Sequence, residues 1–259
     1  MRTTRQPSLH LTTNLDSEVL GATLRRRADL VDNQGPVVPP SMVTKQNLKE
    51  IRRDLGATVK LELAPIAKPA GALPETWRRA LAASDPIEAV FDEVWKPAVK
   101  LLPKTVKLFR KTTLGIALAT ANEQPPSLVY ITTGDGDAYG RRGYPARTIP
   151  KQASRGVHAD FLALYAVHDG WLDLHDAMGW LPFDGWRPLG TSGPSANFLV
   201  TFEGHGPGVL GFDLDESPPR CWTVWNDDPP DRVKNIPKTI DDWLIAQYED
   251  LDVRGKPRG

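Results

Sequence analysis

The sequence predicts an α+β protein: an antiparallel β-meander sheet flanked by helices, preceded by a mostly helical N-terminal extension. Three observations carry that class. Between residues 198 and 225, short β-prone apolar runs alternate with Gly-, Pro- and Asp-rich turns, as an antiparallel meander requires. Segments with a 3.6-residue apolar period bracket those runs. The composition of the 259 residues, 40% hydrophobic and 25% charged, is that of an ordinary folded domain. The single cysteine, Cys221, excludes a disulfide scaffold and cysteine-based zinc clusters.

In chain order, residues 1–83 read as the extension and 84–259 as the α+β domain, best supported over 145–252. Residues 16–32 place Val19, Leu20, Leu24, Ala28 and Val31 at helical spacing. A second helix is predicted over 41–55, with Ser41 as its N-cap and Gly56 at its stop. Residues 58–63 suit a short strand. Helices over 74–83 and 86–96 each open on a proline, tolerated in a first turn. Lys96, Lys100, Lys104, Lys107, Arg110 and Lys111 follow as a basic run. It reads as a solvated helix and turn rather than a nucleic-acid patch, because only Phe109 is available there for stacking.

The apolar runs 114–121 and 127–133 predict a β-hairpin. The glycines at 134, 136 and 140 miss the dinucleotide-binding spacing, and no helix follows before Pro145, so that motif is rejected. Asp135 and Asp137 form an Asp-x-Asp pair, read as turn chemistry with cation binding as the alternative. Residues 157–169 predict a helix capped by Gly170. A loop with Trp171, His175 and Trp180 leads to strands over 198–203, 209–214 and 221–225. Residues 226–231, Asn-Asp-Asp-Pro-Pro-Asp, read as a turn. A last helix is N-capped by Thr239, with Ile240, Trp243, Leu244, Tyr248 and Leu251 in its apolar stripe.

Charge is unevenly spread. Residues 1–155 carry a net +9 and residues 156–259 a net −9, although the whole chain is neutral. Either the halves dock on each other, or the acidic half faces a basic partner. No apolar stretch approaches the roughly 18 residues a membrane span needs, and no apolar block follows the basic N-terminus. Both observations predict a cytoplasmic protein.

Catalytic signatures are weak. Ser192 and Ser195 lack a nucleophile elbow, and Cys221 opens a predicted strand, where a buried apolar role is expected. The best metal-like group is His168 and His175 with Asp176, which suggests a metal-assisted hydrolase as a minor alternative. It lacks the His-Glu-x-x-His spacing. No enzyme activity and no cofactor are expected.

A helix ending in Asp169-Gly170, a strand carrying Gly211-Phe-Asp213 and a last helix with Thr239, Asp242 and Trp243 near its start resemble the SUKH superfamily. That superfamily takes in fungal cell-wall-synthesis regulators and many bacterial immunity proteins. The resemblance covers residues 145–252, and Asp169 replaces the more usual Asn. It implies binding rather than catalysis: a cognate toxin, in the form of a basic, nucleic-acid-targeting enzyme delivered by contact-dependent or type VI secretion, is occluded at its active site. The alternative is an intracellular regulatory scaffold. Nucleic acid and membrane are not expected as partners. The acidic residues Asp213, Asp215, Glu216, Asp227, Asp228 and Asp231 are expected to form one face at a sheet end. Trp225 is its candidate anchor, since interface hot spots favour tryptophan. Asp169 and Trp171 complete the candidate set. Residue parity alone does not decide whether Trp222 or Trp225 points to the core.

Overall fold

The computed structural model describes residues 43–122, 124–134, 137–175, 177–190, 193–204, 208–225 and 228–246. Backbone contacts divide the chain into two units, Met1–Ser41 and Met42–Gly259. All described residues lie in the second. The helix expected over 16–32, Asp135, Asp176 and Asp227 fall outside the described residues.

The chain supports the α+β class with an antiparallel sheet of eleven strands. Helix α1 (Lys45–Leu55) starts at Thr44, whose hydroxyl accepts the Asn47 N–H while the Asn47 side chain accepts the Thr44 N–H. This capping box replaces the expected Ser41 cap. Gly56, at φ +99°, ends the helix as expected. Strand β1 (Lys60–Leu63) and helix α2 (Glu75–Ala82) match the expected elements. Helix α3 (Pro86–Ala89) passes into a π-helical turn, Val90–Val94. Helix α4 (Pro103–Thr112) buries Thr105, Val106 and Phe109. Phe109 is therefore core, and the lysines around it line a solvated face.

Strands β2 (Thr113–Ala121), β3 (Gln124–Gly134) and β4 (Asp137–Gly143) form a meander with β1. The sheet therefore takes in β1, from the segment read as the extension, beside strands of the expected α+β domain. After a short helix, α5 (Lys151–Ser154), the helix expected over 157–169 is reduced to one α-turn and a 3-10 turn. These are α6 (Ala159–Leu162) and Ala163–Ala166. Gly170 does not cap it. It leads at φ +80° straight into β5 (Trp171–Asp173).

That segment was expected to be a loop. Instead β5 and β6 (Gly179–Trp180) join the two meanders into one sheet, with β4 on one side and β8 (Phe198–Glu203) on the other. The two-residue strand β7 (Arg187–Pro188) pairs with another stretch of β8. Strands β9 (Val209–Asp213) and β10 (Arg220–Trp225) complete the expected C-terminal meander. Residues expected as an acidic turn form an edge strand, β11 (Asp228–Arg232), paired with β10. Its two prolines are tolerated because an edge strand needs donors on one side only. Helix α7 (Ile236–Ala246) closes the described chain. Its cap is Asn235, whose side chain accepts the Lys238 N–H, so Thr239 lies inside the helix.

One apolar core runs beneath both halves. Trp77, Trp95, Phe109, Tyr130, Phe161, Trp171, Trp180, Phe202 and Phe212 are all buried in it. The ring of Trp171 lies 4.8 Å from those of Trp95 and Phe109, and 5.2 Å from Trp180. Edge-on and tilted contacts at these separations suit the aromatic quadrupole. Helix α1 covers the opposite face of β1–β4 over Leu61, Ala117, Val129 and Ile131.

Candidate functional site

A cleft of about 660 Å³ opens between the edge strand β11 and helix α7, and the sequence determines its shape. The floor is Trp225, half-buried, with Trp243 beside it at a ring separation of 5.5 Å. Two glycines make room for these indoles. A Cβ on Gly208 would stand 2.4 Å from the Trp225 ring, and one on Gly204 would stand 2.8 Å from the Trp243 ring. The glycines of the β8–β9 connection therefore allow a close approach rather than merely a tight turn. One wall is Asp228, Pro229, Asp231 and Arg232, and the other is Lys234, Asn235 and Thr239.

Register settles which tryptophan faces which way. Trp225 pairs with Asp228 and Thr223 with Asp231, while Trp222 pairs with Arg232. Paired residues share a face, so Trp225, Asp228 and Asp231 lie on the side of the main core and α7. Trp222 packs on the other face, against the cluster of Phe198, Val200 and Val224.

Three of the nine expected partner-binding residues, Trp225, Asp228 and Asp231, thus line one cleft. The expected single acidic face does not form. Asp213 pairs with Arg220 at the start of β10, whereas Asp228 pairs with Trp225 at its end. Five residue steps of about 3.3 Å separate these ends, roughly 17 Å. At the far end, Asp213 is buried and accepts from the Ser195 hydroxyl (2.6 Å) and the Asp215 N–H (3.1 Å), which fixes the turn. Asp215 is exposed and accepts from the Asn197 amide. Glu216 pairs with Arg220.

The helix-end motif is structural. One Asp169 oxygen accepts the Phe183 N–H at 2.7 Å, and the other lies 3.4 Å from Arg147. Arg147 also binds Asp184 at 2.7 Å, and these partners raise its pKa, the Asp184 hydrogen bond most. A Cβ on Gly170 would stand 2.5 Å from the Pro182 nitrogen. Trp171 is wholly buried, so as an expected partner contact it is corrected to a core residue.

His168 is likewise committed to the core. Its Nε2 shares a 2.7 Å hydrogen bond with the Tyr130 hydroxyl, and its Nδ1 lies 3.0 Å from the Tyr144 carbonyl. The Trp95 indole N–H donates to the same Tyr130 oxygen at 3.0 Å. Burial lowers the His168 pKa to about 4 and raises that of Tyr130. With both ring nitrogens occupied, His168 is not the metal ligand envisaged alongside His175. The described residues contain no group of three or more His, Cys, Asp and Glu side chains that would hold a metal ion. Burial also raises the Cys221 pKa, keeping the thiol protonated. No described helix is long and apolar enough to cross a membrane.

Sequence reasoning missed Trp243, Thr239 and Lys234 as lining residues. Trp243 carried the signal of a core stripe, and its place at the cleft depends on where β11 lies. Compared with known proteins, the chain matches no family model, no curated protein and no solved structure.

Proposed function

We propose that this chain is a non-enzymatic binding protein that neutralises a cognate bacterial toxin by stoichiometric contact, covering the active site of a basic, nucleic-acid-targeting enzyme. The observation that carries this reading is the cleft itself: a half-buried tryptophan flanked by the exposed carboxylates Asp228 and Asp231. Interface hot spots favour tryptophan. The net −9 of residues 156–259 supports electrostatic capture of a basic enzyme. The SUKH resemblance points the same way, and a cytoplasmic location fits the role.

The test is the kinetics of association with a basic, nucleic-acid-targeting toxin domain, sought first in the genes that neighbour this one. Exchanging Asp227 and Asp228 for Lys should slow association about tenfold at low salt and flatten its salt dependence, with the fold intact. Unchanged rate and affinity would place the contact elsewhere on the molecule. A complex with resident cellular proteins in place of the toxin would favour a regulatory scaffold.

A further inference from the structure

We propose that the lysine ridge formed by helix α4 and the turn before it is a docking surface for an anionic lipid bilayer. The contact is peripheral, so it needs no spanning segment. It departs from the expectation, drawn from sequence, that a membrane is not a partner. It goes beyond the toxin-binding role and does not rest on it.

Packing builds the ridge. In the turn over residues 95–102, Trp95, Ala98 and Leu102 are wholly buried. The Ala98 N–H donates to the Trp95 carbonyl and the Leu102 N–H to the Ala98 carbonyl. The residues between these anchors, Lys96, Pro97, Val99 and Lys100, are exposed. Helix α4 then buries Thr105, Val106 and Phe109 on one side. At about 100° per residue, Lys104, Lys107 and Lys111 fall within an arc of about 60° on the other. Five exposed lysines thus follow one another along this surface.

Most of that charge is not spent within the fold. Lys104 pairs with Asp242, and Arg110, the one arginine of the segment, is held by Glu88 and Asp92. Lys96, Lys100, Lys107 and Lys111 enter no ion pair among the described residues.

Three features favour a bilayer over nucleic acid. The unpaired cations are all lysines, point charges on flexible stems that suit a fluid layer of head groups, whereas the fixed fork of arginine suits defined phosphates. The ridge has no exposed aromatic ring for base stacking, since Trp95 and Phe109 are core. Pro97 and Val99, the latter 41% exposed, stand between Lys96 and Lys100 as an apolar tip among cations. Basic charge combined with apolar contact is what holds a peripheral protein on a bilayer. The cytoplasmic leaflet is the anionic one, and each lysine near such a surface strengthens partitioning about fivefold.

The test is co-sedimentation of the full chain with phosphatidylcholine vesicles containing about 30% phosphatidylserine, against phosphatidylcholine alone. Binding should require phosphatidylserine and should fall away between about 0.1 and 0.5 M salt. Lys107→Gln with Lys111→Gln should weaken it about 25-fold. Lys45→Gln with Lys49→Gln removes the same charge from α1, which covers the opposite face of the sheet, and should leave binding as it is. A polarity-sensitive fluorophore on Val99→Cys should shift to the blue on binding; Cys221 is buried and does not compete for the label.

Equal binding to both vesicle types, equal losses in the two double variants, or an unshifted emission from position 99 in bound protein would overturn the inference. So would binding of a double-stranded RNA oligonucleotide that depends on Lys107 and Lys111 while vesicles are not bound, which would make the ridge a nucleic-acid patch.

Discussion

His168 shows how one residue type changes meaning with its surroundings. Beside His175 and Asp176 in sequence it resembles a ligand. In the fold its ring lies 5.6 Å from Trp77 and from Tyr130, and 6.1 Å from Trp95, with both nitrogens hydrogen-bonded. Its folded pKa, about 4, is below the ordinary 6.5, so the unfolded chain binds the proton more readily. Stability from this residue is complete above pH 6.5 and is lost as pH falls towards 4, about 3 kcal/mol in all. Urea unfolding between pH 7.5 and pH 4 should show that fall, and His168→Gln should flatten it at a lower overall stability. An equal slope in the variant would assign the acid sensitivity to other groups. The neighbouring motif residues are legible in the same way: sequence marks Asp169, Gly170 and Trp171 as special. It does not show that their roles are a loop cap, a left-handed turn against Pro182 and a core ring. Those roles depend on Trp95, Phe109 and Tyr130, 41 to 76 residues earlier, and on Trp180, Pro182 and Phe183, 9 to 14 residues later.

Among the elements, those with their own periodicity were legible: β2, β3, β8, β9, β10 and helices α1, α2 and α4. Those made by tertiary contact were not. Strands β5 and β6 have three and two residues and no alternation to read, and they exist because β4 and β8 flank them. Strand β11 was hidden by its two prolines, which read as a turn unless an edge position is known. Helix α7 was found, but its start was placed four residues late because Asn235 rather than Thr239 caps it. Its Asp241 performs a task that sequence does not reveal. The buried carboxylate accepts the N–H groups of Thr105 at 2.7 Å and Lys104 at 3.1 Å, capping α4 from another helix. Leu102, at the cap position of α4, provides no side-chain cap. Beside it, burial raises the Asp242 carboxyl pKa, but hydrogen bonds from Lys104 and Lys238 outweigh that and hold it below the usual value. Asp241→Ala should therefore cost about 2–3 kcal/mol, because two buried donors lose their partner. Asp242→Ala, on the exposed ion pairs, should cost under about 1 kcal/mol. Chemical denaturation of the two variants separates these outcomes, and equal losses would contradict the capping role.

At the scale of the whole molecule, the described residues of the basic and acidic halves contribute strands to one sheet. Backbone pairing of β4 with β5 joins them. Salt bridges between the halves include the buried pair Arg141 and Asp173, Arg147 with Asp169 and Asp184, and Lys104 with Asp242 at the surface. A continuous sheet over a shared aromatic core predicts one cooperative unfolding transition for residues 42–259. Fluorescence of single-tryptophan variants retaining Trp95 or Trp225 should report coincident midpoints. Separate midpoints would mean that the β5–β6 bridge is too weak to couple the halves.

The central claim, neutralisation by direct binding, is tested most directly by co-expressing this chain with toxin domains sought in its neighbouring genes and measuring survival and complex stoichiometry together. The account predicts survival, a stable equimolar complex, and loss of both when Asp227 and Asp228 are replaced by Lys and Trp225 by Ala. Cell death with no complex, or survival without one, would contradict it.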